Sequence, residues 1–356
     1  MNKKQHTPWQ KFRSFFLFLA KIGISLGILA FLVWRATQNE KTMDGLLHGE
    51  KIWTSLLLGF LFTFLAVLAT IIRWWGLVRI EKMKVGFWNT LRIGYIGYLF
   101  NLAPMGIVGG DLLKAWLLTR REKENYPNAG PVILGSMFVD RMIGLYALFM
   151  LASLVMLWMG IFQNPAISPT LRSASWAVLI AWAAGTIGWL VLLLPPERKK
   201  ELPPPRSKAE EFFRKIASSV RLYRNYPIQL LGVLGVSILI HALFATSLYF
   251  LADGIWRASE LTIPTYAQHL YISPTSMSMS AIPLPVGPVE VVLDELYRDE
   301  IGNEGIGLVV MLAYRLVCLL TALLGVFFYF SARNETRAAM EDANSESISL
   351  DSGNCP

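Results

Sequence analysis

Apolar runs of about 20 residues recur along this chain, separated by stretches that carry Lys, Arg, Asp and Glu. A run of that length lets a helix cross a hydrocarbon core of about 30 Å, and these runs are too long and too many for the buried helices of a soluble core. The pattern predicts spanning helices near 15–35, 52–72, 131–161, 176–194, 228–252 and 305–332. Two further apolar stretches, 92–120 and 264–298, are interrupted by Pro and Gly and carry charge. They read as segments that enter the bilayer and return to the side they came from.

Composition agrees. Of 356 residues, 54% are hydrophobic and only 16% are charged, which exceeds the apolar share of an ordinary soluble domain. The fold expected is an all-α polytopic membrane protein: about six spanning helices plus two re-entrant, Pro/Gly-broken hairpins. The first run follows Lys3, Lys4, Lys11 and Arg13 but is longer than a signal h-region, and no small-residue cleavage pattern follows Trp34 and Arg35. It reads as a retained anchor. Cys318 and Cys355 make neither a disulfide framework nor a metal-ligand spacing, so no metal or cofactor is expected.

Charge sets the orientation, because basic loops near spanning helices stay in the cytoplasm. Segments 73–130 and 195–227 each hold nine Lys/Arg against four acids, whereas 253–304 holds Arg257 and Arg298 against eight acids. The first two should face the cytoplasm and the third the outside, with 162–175 a short outer loop. Both termini are then cytoplasmic: a basic stretch 1–14, and a polar tail 333–356 with the composition of a disordered segment. The net charge of +8 needs no nucleic acid, since juxtamembrane basic residues facing anionic lipid account for it. The segment RIEKMKVGFWNTLRI reads as a basic helix along the cytoplasmic surface, and Trp74 and Trp75 beside Arg73 as an interfacial anchor.

The order of elements in 15–161 (helix, helix, interrupted stretch, helix) repeats in 176–332, and each half has an odd number of crossings. The second would therefore lie inverted relative to the first. The residues pair as well: PMGIVGGD runs from Pro104 to Asp111 and PLPVGPVE from Pro283 to Glu290, each with a carboxylate seven residues after a proline. The next helix of each half carries an arginine, Arg141 in VDRMIGLYALF and Arg315 in AYRLVCLLTAL. Inverted repeats can exchange roles by rocking, which opens a midplane site to one face and then the other. Irregular backbone at membrane depth survives only where it is packed in protein or lines a polar cavity.

Candidate chemistry concentrates at those hairpins. Asp111 and Glu290 sit at helix starts, where a carboxylate either caps free N–H groups or faces a cavity. Lys114 lies one turn after Asp111, and Asn101, Pro104, Gly106, Gly109 and Gly110 form the first break, with Pro283, Pro285 and Gly287 forming the second. Glycines there let backbone amides approach a ligand, as at phosphate-binding helix starts. An arginine within a spanning segment is costly unless paired or hydrated, which makes Arg141 and Arg315 functional candidates; Arg141 has Asp140 beside it as a partner, while Arg315 lies nearer mid-membrane. Guanidinium binds phosphate in a bidentate fork, which suits a lipid headgroup. Lys21 reads as snorkelling, and His241 and His269 as isolated, hydrogen-bonded structural residues. No nucleophile–base set, nucleotide loop or ligand cluster argues for catalysis.

On NLAPMGIVGGDLLKAWLLTRR, DRMIGLYAL, PLPVGPVE and YRLVCLL, the sequence resembles the lysylphosphatidylglycerol synthase transmembrane region, a flippase-like (YbhN-type) membrane family, over most of 15–332. The resemblance implies movement of an anionic or aminoacylated phospholipid, or of a polyprenyl-phosphate carrier, between leaflets, with Asp111, Arg141, Glu290 and Arg315 as the matched polar positions. The family's soluble aminoacyl-transferring domain has no counterpart in the short tail, so lysyl transfer is not implied, and GPVE departs from the glycine-rich acid motif that relatives carry in the second half. The expectation is a lipid flippase in the cell membrane, compatible with a homo-oligomer. The rivals are a headgroup-modifying membrane enzyme and an accessory subunit of envelope assembly.

Overall fold

The computed structural model describes residues 27–28, 30–101, 107–163, 168–193, 208–259, 261–281 and 287–331. Among the described residues there are helices and no strand: α1 (30–37), α2 (Glu40–His48), α3 (Trp53–Ile80), α4 (Phe87–Asn101), α5 (Ile107–Glu122), α6 (Ala129–Trp158), α7 (Pro169–Leu193), α8 (Lys208–Leu222), α9 (Pro227–Trp256), α10 (Tyr266–Ser278), α11 (Pro288–Ile301) and α12 (Ile306–Ser331). Five of them, α3, α6, α7, α9 and α12, are long and apolar enough to cross a membrane. At 1.5 Å per residue the 28 residues of α3 reach about 42 Å, beyond a hydrocarbon core of about 30 Å. Large apolar side chains such as Leu57, Ile187, Ile228 and Phe327 stand more than half exposed, and only lipid makes a row of such residues stable. This is an all-α, multi-pass integral membrane protein. Most of the predicted crossing 15–35, with Lys21, lies outside the described residues, as do 195–207 and the tail.

Local sequence explains where the helices begin. Ser168 Oγ accepts from Leu171 N at 3.0 Å and Pro169 follows at the first helical position, so α7 starts seven residues before the predicted 176. Pro227 opens α9 in the same way. At α11 the N-cap is Gly287, with φ +123, Pro288 follows, and Glu290 accepts from Gly287 N at 2.7 Å. α10 starts on a capping box between Thr265 and Gln268.

The largest departure from the expected elements is α3, which continues eight residues past the predicted end at 72. Arg73 and Trp74 are buried, so they do not form an interfacial anchor. The basic segment predicted to lie along the surface is divided between the end of α3, a turn with Lys82 at φ +62, and the start of α4.

Two compact units divide the chain, and each long helix contributes residues to both. One comprises Thr63–Leu148, Ile180–Leu243 and Val317–Pro356 and contains α4 and α5. These helices, of 15 and 16 residues, reach only about 24 Å, too short to cross. They pack backbone to backbone: a Cβ on Gly110 would overlap the carbonyl of Gly97 and the side chain of Asn101. Trp74, Val78, Ile93, Leu118, Ile133 and Met137 form the apolar core beneath them. The other unit comprises Met1–Phe62, Phe149–Leu179 and Phe244–Leu316 and contains α10 and α11, which are shorter still at 13 and 14 residues. Here Leu32, Ala36 and Leu308 pack together with Ile28 and Val291. Buried Asp294 of α11 accepts from Leu308 N at 3.1 Å and so satisfies the start of α12.

Candidate functional site

Each unit sets a carboxylate near the start of the helix that follows its break against an arginine of the next long helix. Glu290 lies in the first turn of α11, whereas Asp111, the fifth residue of α5, lies past the first turn and so is not the helix-start residue the sequence predicts. In the α4–α5 unit, Arg141 of α6 donates from Nε to Asp111 Oδ2 at 2.7 Å and also from Nη2 to that oxygen. Lys114 Nζ lies 2.6 Å from Asp111 Oδ1, one turn along α5, and 5.3 Å from the centre of the Trp74 ring. Two cations thus share one carboxylate, which leaves a net positive charge. Asp111 is mostly buried, but the Arg141 side chain is half exposed, and its Nη1 has no partner among the described residues. A guanidinium so held can bind a further anion.

The α10–α11 unit differs in balance. Glu290 is fully buried, its Oε2 accepting from Gly287 N and its Oε1 from Arg315 Nε. One arginine here meets one carboxylate, and the Arg315 side chain is one-third exposed. Glu290 is therefore a cap and an ion-pair partner together, so the two readings open for it in the sequence do not exclude each other.

Asp140 is separated from this cluster. It binds Arg73 of α3 in a bidentate pair, Nε to Oδ1 at 2.8 Å and Nη2 to Oδ2 at 2.9 Å, while Arg73 Nη1 donates to Ser237 Oγ at 2.8 Å. Successive residues of a helix point about 100° apart, so Asp140 and Arg141 meet different neighbours. The expected pairing of Arg141 with Asp140 is replaced by two pairs. His241 donates from Nε2 to Gly144 O at 2.8 Å, and Gly144 leaves the space that the Arg73 guanidinium fills.

The glycines divide similarly. Gly110 serves α4–α5 packing, Gly109 lies in the first turn of α5, and Asn101 ends α4 with its Oδ1 against Gly110. Pro104, Gly106, Pro283 and Pro285 lie outside the described residues. His269 is structural in its contacts: Nδ1 donates to Thr265 O at 2.9 Å and Nε2 accepts from Tyr297 at 2.5 Å.

A further ionic cluster went unread in the sequence. Arg35 donates to Glu295 at 2.7 Å and to both oxygens of Glu304 at 2.7 and 3.0 Å, and Arg298 pairs with Glu295 as well. It ties α1 to α11 and to the α11–α12 turn. The arginine hydrogen bonds hold the Glu304 carboxyl below its ordinary range, against the opposing effect of burial. Arg35 stood in the sequence as the end of an apolar run, and nothing local marks partners more than 250 residues away.

An all-helical membrane protein with two short helical hairpins, each carrying a carboxylate–arginine pair, defines the class. The family pattern described as the lysylphosphatidylglycerol synthase TM region matches residues 18–325, and the chain belongs to that family. Its function is accordingly lipid-related. A comparison with the curated proteins gives no match.

Proposed function

We propose that the protein is a lipid flippase, moving a phospholipid or an isoprenoid-phosphate-type lipid between leaflets by alternating access, with no bond-making step of its own. The observation that carries this reading is the repeated carboxylate–arginine pair, Asp111 with Arg141 and Glu290 with Arg315, one in each compact unit. A charged headgroup needs such partners to leave water, whereas its acyl tails need only lipid. The half-exposed, net-positive cluster at Arg141 and Lys114 suits an anionic headgroup, which competes with Asp111 for the guanidinium.

Element order supports an inverted repeat. Each half runs as a long helix, a short one, a long one, two short hairpin helices and a final long one, counting the predicted first crossing. The short hairpin helices suit re-entrant segments. The basic segment 73–130 belongs to the α4–α5 unit and the acidic 253–304 to the α10–α11 unit, which fits a cytoplasmic first hairpin, an outer second one and cytoplasmic termini in the cell membrane.

The test is leaflet-sided accessibility of labelled anionic, aminoacylated and polyprenyl-phosphate lipids in proteoliposomes. Arg141→Ala, Arg315→Ala and Asp111→Asn should each slow movement at least about tenfold, the effect of losing some 1.4 kcal/mol of a charge-assisted contact. Equal movement with and without protein for all three lipid classes refutes transport. Chemical change of a headgroup during the assay would instead favour a modifying enzyme.

A further inference from the structure

We propose that α8 is an interfacial helix that seats its apolar face in an anionic lipid leaflet, independently of whether the protein transports lipid. Its sequence, KAEEFFRKIASSVRL, puts apolar residues at positions 209, 212, 213, 216 and 220, spacings of three and four that gather on one side. Glu210, Glu211, Arg214, Lys215, Ser218 and Arg221 occupy the other side.

On the apolar side Ile216 and Val220 are half-buried and Phe213 is exposed, so this side is only partly covered by protein. Lys215 and Ser218, on the polar side, line a cavity of about 270 Å³ together with Glu81, Asn128 and Pro131. At the C-terminal end Val220 and Tyr223 pack with Leu77, Val139, Ile143 and Leu230 of the apolar core, and Tyr223 donates to Leu77 O at 3.0 Å. Phe213, nearly opposite Lys215 and Ser218 on the helix, is 68% exposed.

Two observations point to lipid beside this exposed side. The first is continuity: α9 begins five residues after α8 ends, and its first turns expose Ile228 at 80% and Leu231 at 67%, side chains that only lipid can face on a spanning helix. The second is charge. Residues 208–225 carry five Lys/Arg (208, 214, 215, 221 and 224) against two Glu, and the sequence just before them adds Arg198, Lys199, Lys200 and Arg206 against Glu197 and Glu201. A basic helix with an apolar side, anchored at one end and continuous with a lipid-facing surface, matches an anionic leaflet surface and not a neutral one.

The experiment places a nitroxide label on the full-length protein, in a Cys355→Ser background, through Phe213→Cys or, on the opposite side, Ser218→Cys. Ile216→Cys serves as a second apolar-side site should Phe213→Cys fold poorly. Collision with oxygen, which concentrates in lipid, is compared with collision with a water-soluble nickel chelate. In vesicles of phosphatidylcholine with phosphatidylglycerol, the apolar-side label should favour oxygen several-fold and the Ser218 label the chelate. In phosphatidylcholine alone the oxygen preference at the apolar side should fall, and Arg221→Glu with Arg224→Glu should reproduce that fall in the mixed vesicles. A label at Phe213 that favours the chelate in both vesicles overturns the proposal. So does one shielded from both reagents, which would mean a protein partner, and an oxygen preference unchanged by lipid charge overturns the requirement for an anionic leaflet.

Discussion

Replacing Asp140 with alanine removes the partner of an arginine that has almost no access to solvent. Arg73 is 7% and Asp140 8% exposed, and of the three hydrogen bonds that Arg73 makes among the described residues two go to this carboxylate. After Asp140→Ala, Ser237 Oγ alone among the described residues still accepts from the guanidinium, and the uncompensated buried charge should cost about 3–5 kcal/mol. That range is also of the order of the penalty for an unpaired arginine in a spanning helix. The desolvation cost of the intact pair largely cancels its attraction, so removing both charges with similar volume, Arg73→Met with Asp140→Leu, should recover most of the loss. Reversible unfolding in mixed micelles, titrated with a denaturing detergent, measures the four corners of this cycle. The expected coupling exceeds about 2 kcal/mol, well outside the few tenths by which independent sites depart from additivity. Should Asp140→Ala cost less than about 1 kcal/mol, or the double variant cost the sum of the singles, the pair is not the structural tie described above. Lipid movement by the double variant gives a second readout: a positioning pair is replaceable there, whereas a headgroup ligand is not.

Two further outcomes follow from particular contacts. Gly110→Ala should destabilise the α4–α5 hairpin by about 1–3 kcal/mol, because its Cβ meets backbone that cannot move aside, whereas Gly76→Ala, with nothing within 4 Å of the added methyl, should stabilise α3 by about 0.5–1 kcal/mol. The same detergent titration reads both. Glu304 has its carboxyl depressed by Arg35, so its contribution is present above the ordinary carboxylate pKa and is lost as pH falls through the depressed one. With a side chain 41% exposed it should contribute about 0.5–1 kcal/mol, and the stability gap between wild type and Glu304→Gln, measured from neutral to strongly acid pH, should close only on the acid side.

The parts of this architecture that were legible in the sequence are those written in local pattern. Long apolar runs marked the spanning helices, and Pro and Gly within apolar sequence marked two breaks, because both signals act over a few residues. The ends of helices were less legible. α3 continues through Arg73 because Asp140, 67 positions away, receives the guanidinium, and an arginine seen without its partner looks like the edge of a membrane. Helix α8 was legible but unread: its three-and-four spacing of apolar residues is plain in KAEEFFRKIASSVRL, yet the charge of 195–227 drew the whole stretch into a loop.

The pairings at the site follow the same division. That Asp111, Arg141, Glu290 and Arg315 are polar residues in apolar surroundings is a property of the sequence, and so is their repeated order. Which carboxylate meets which arginine is not, since Asp140 is adjacent to Arg141 in the chain but 100° away around the helix. That angle separates two tasks on one turn of α6: Asp140 holds α3, and Arg141 reaches α5 with half its side chain still open. A guanidinium bound on one side by a carboxylate and open on the other is able to exchange partners, and Lys114 lowers the cost of that exchange by staying with Asp111. The corresponding Glu290 has a backbone N–H in place of the lysine, so its carboxylate also keeps a partner if Arg315 leaves, but without the extra positive charge. The first site should therefore hold an anion more tightly than the second, which titration of each site with inorganic phosphate in an Arg141→Ala or Arg315→Ala background reads directly.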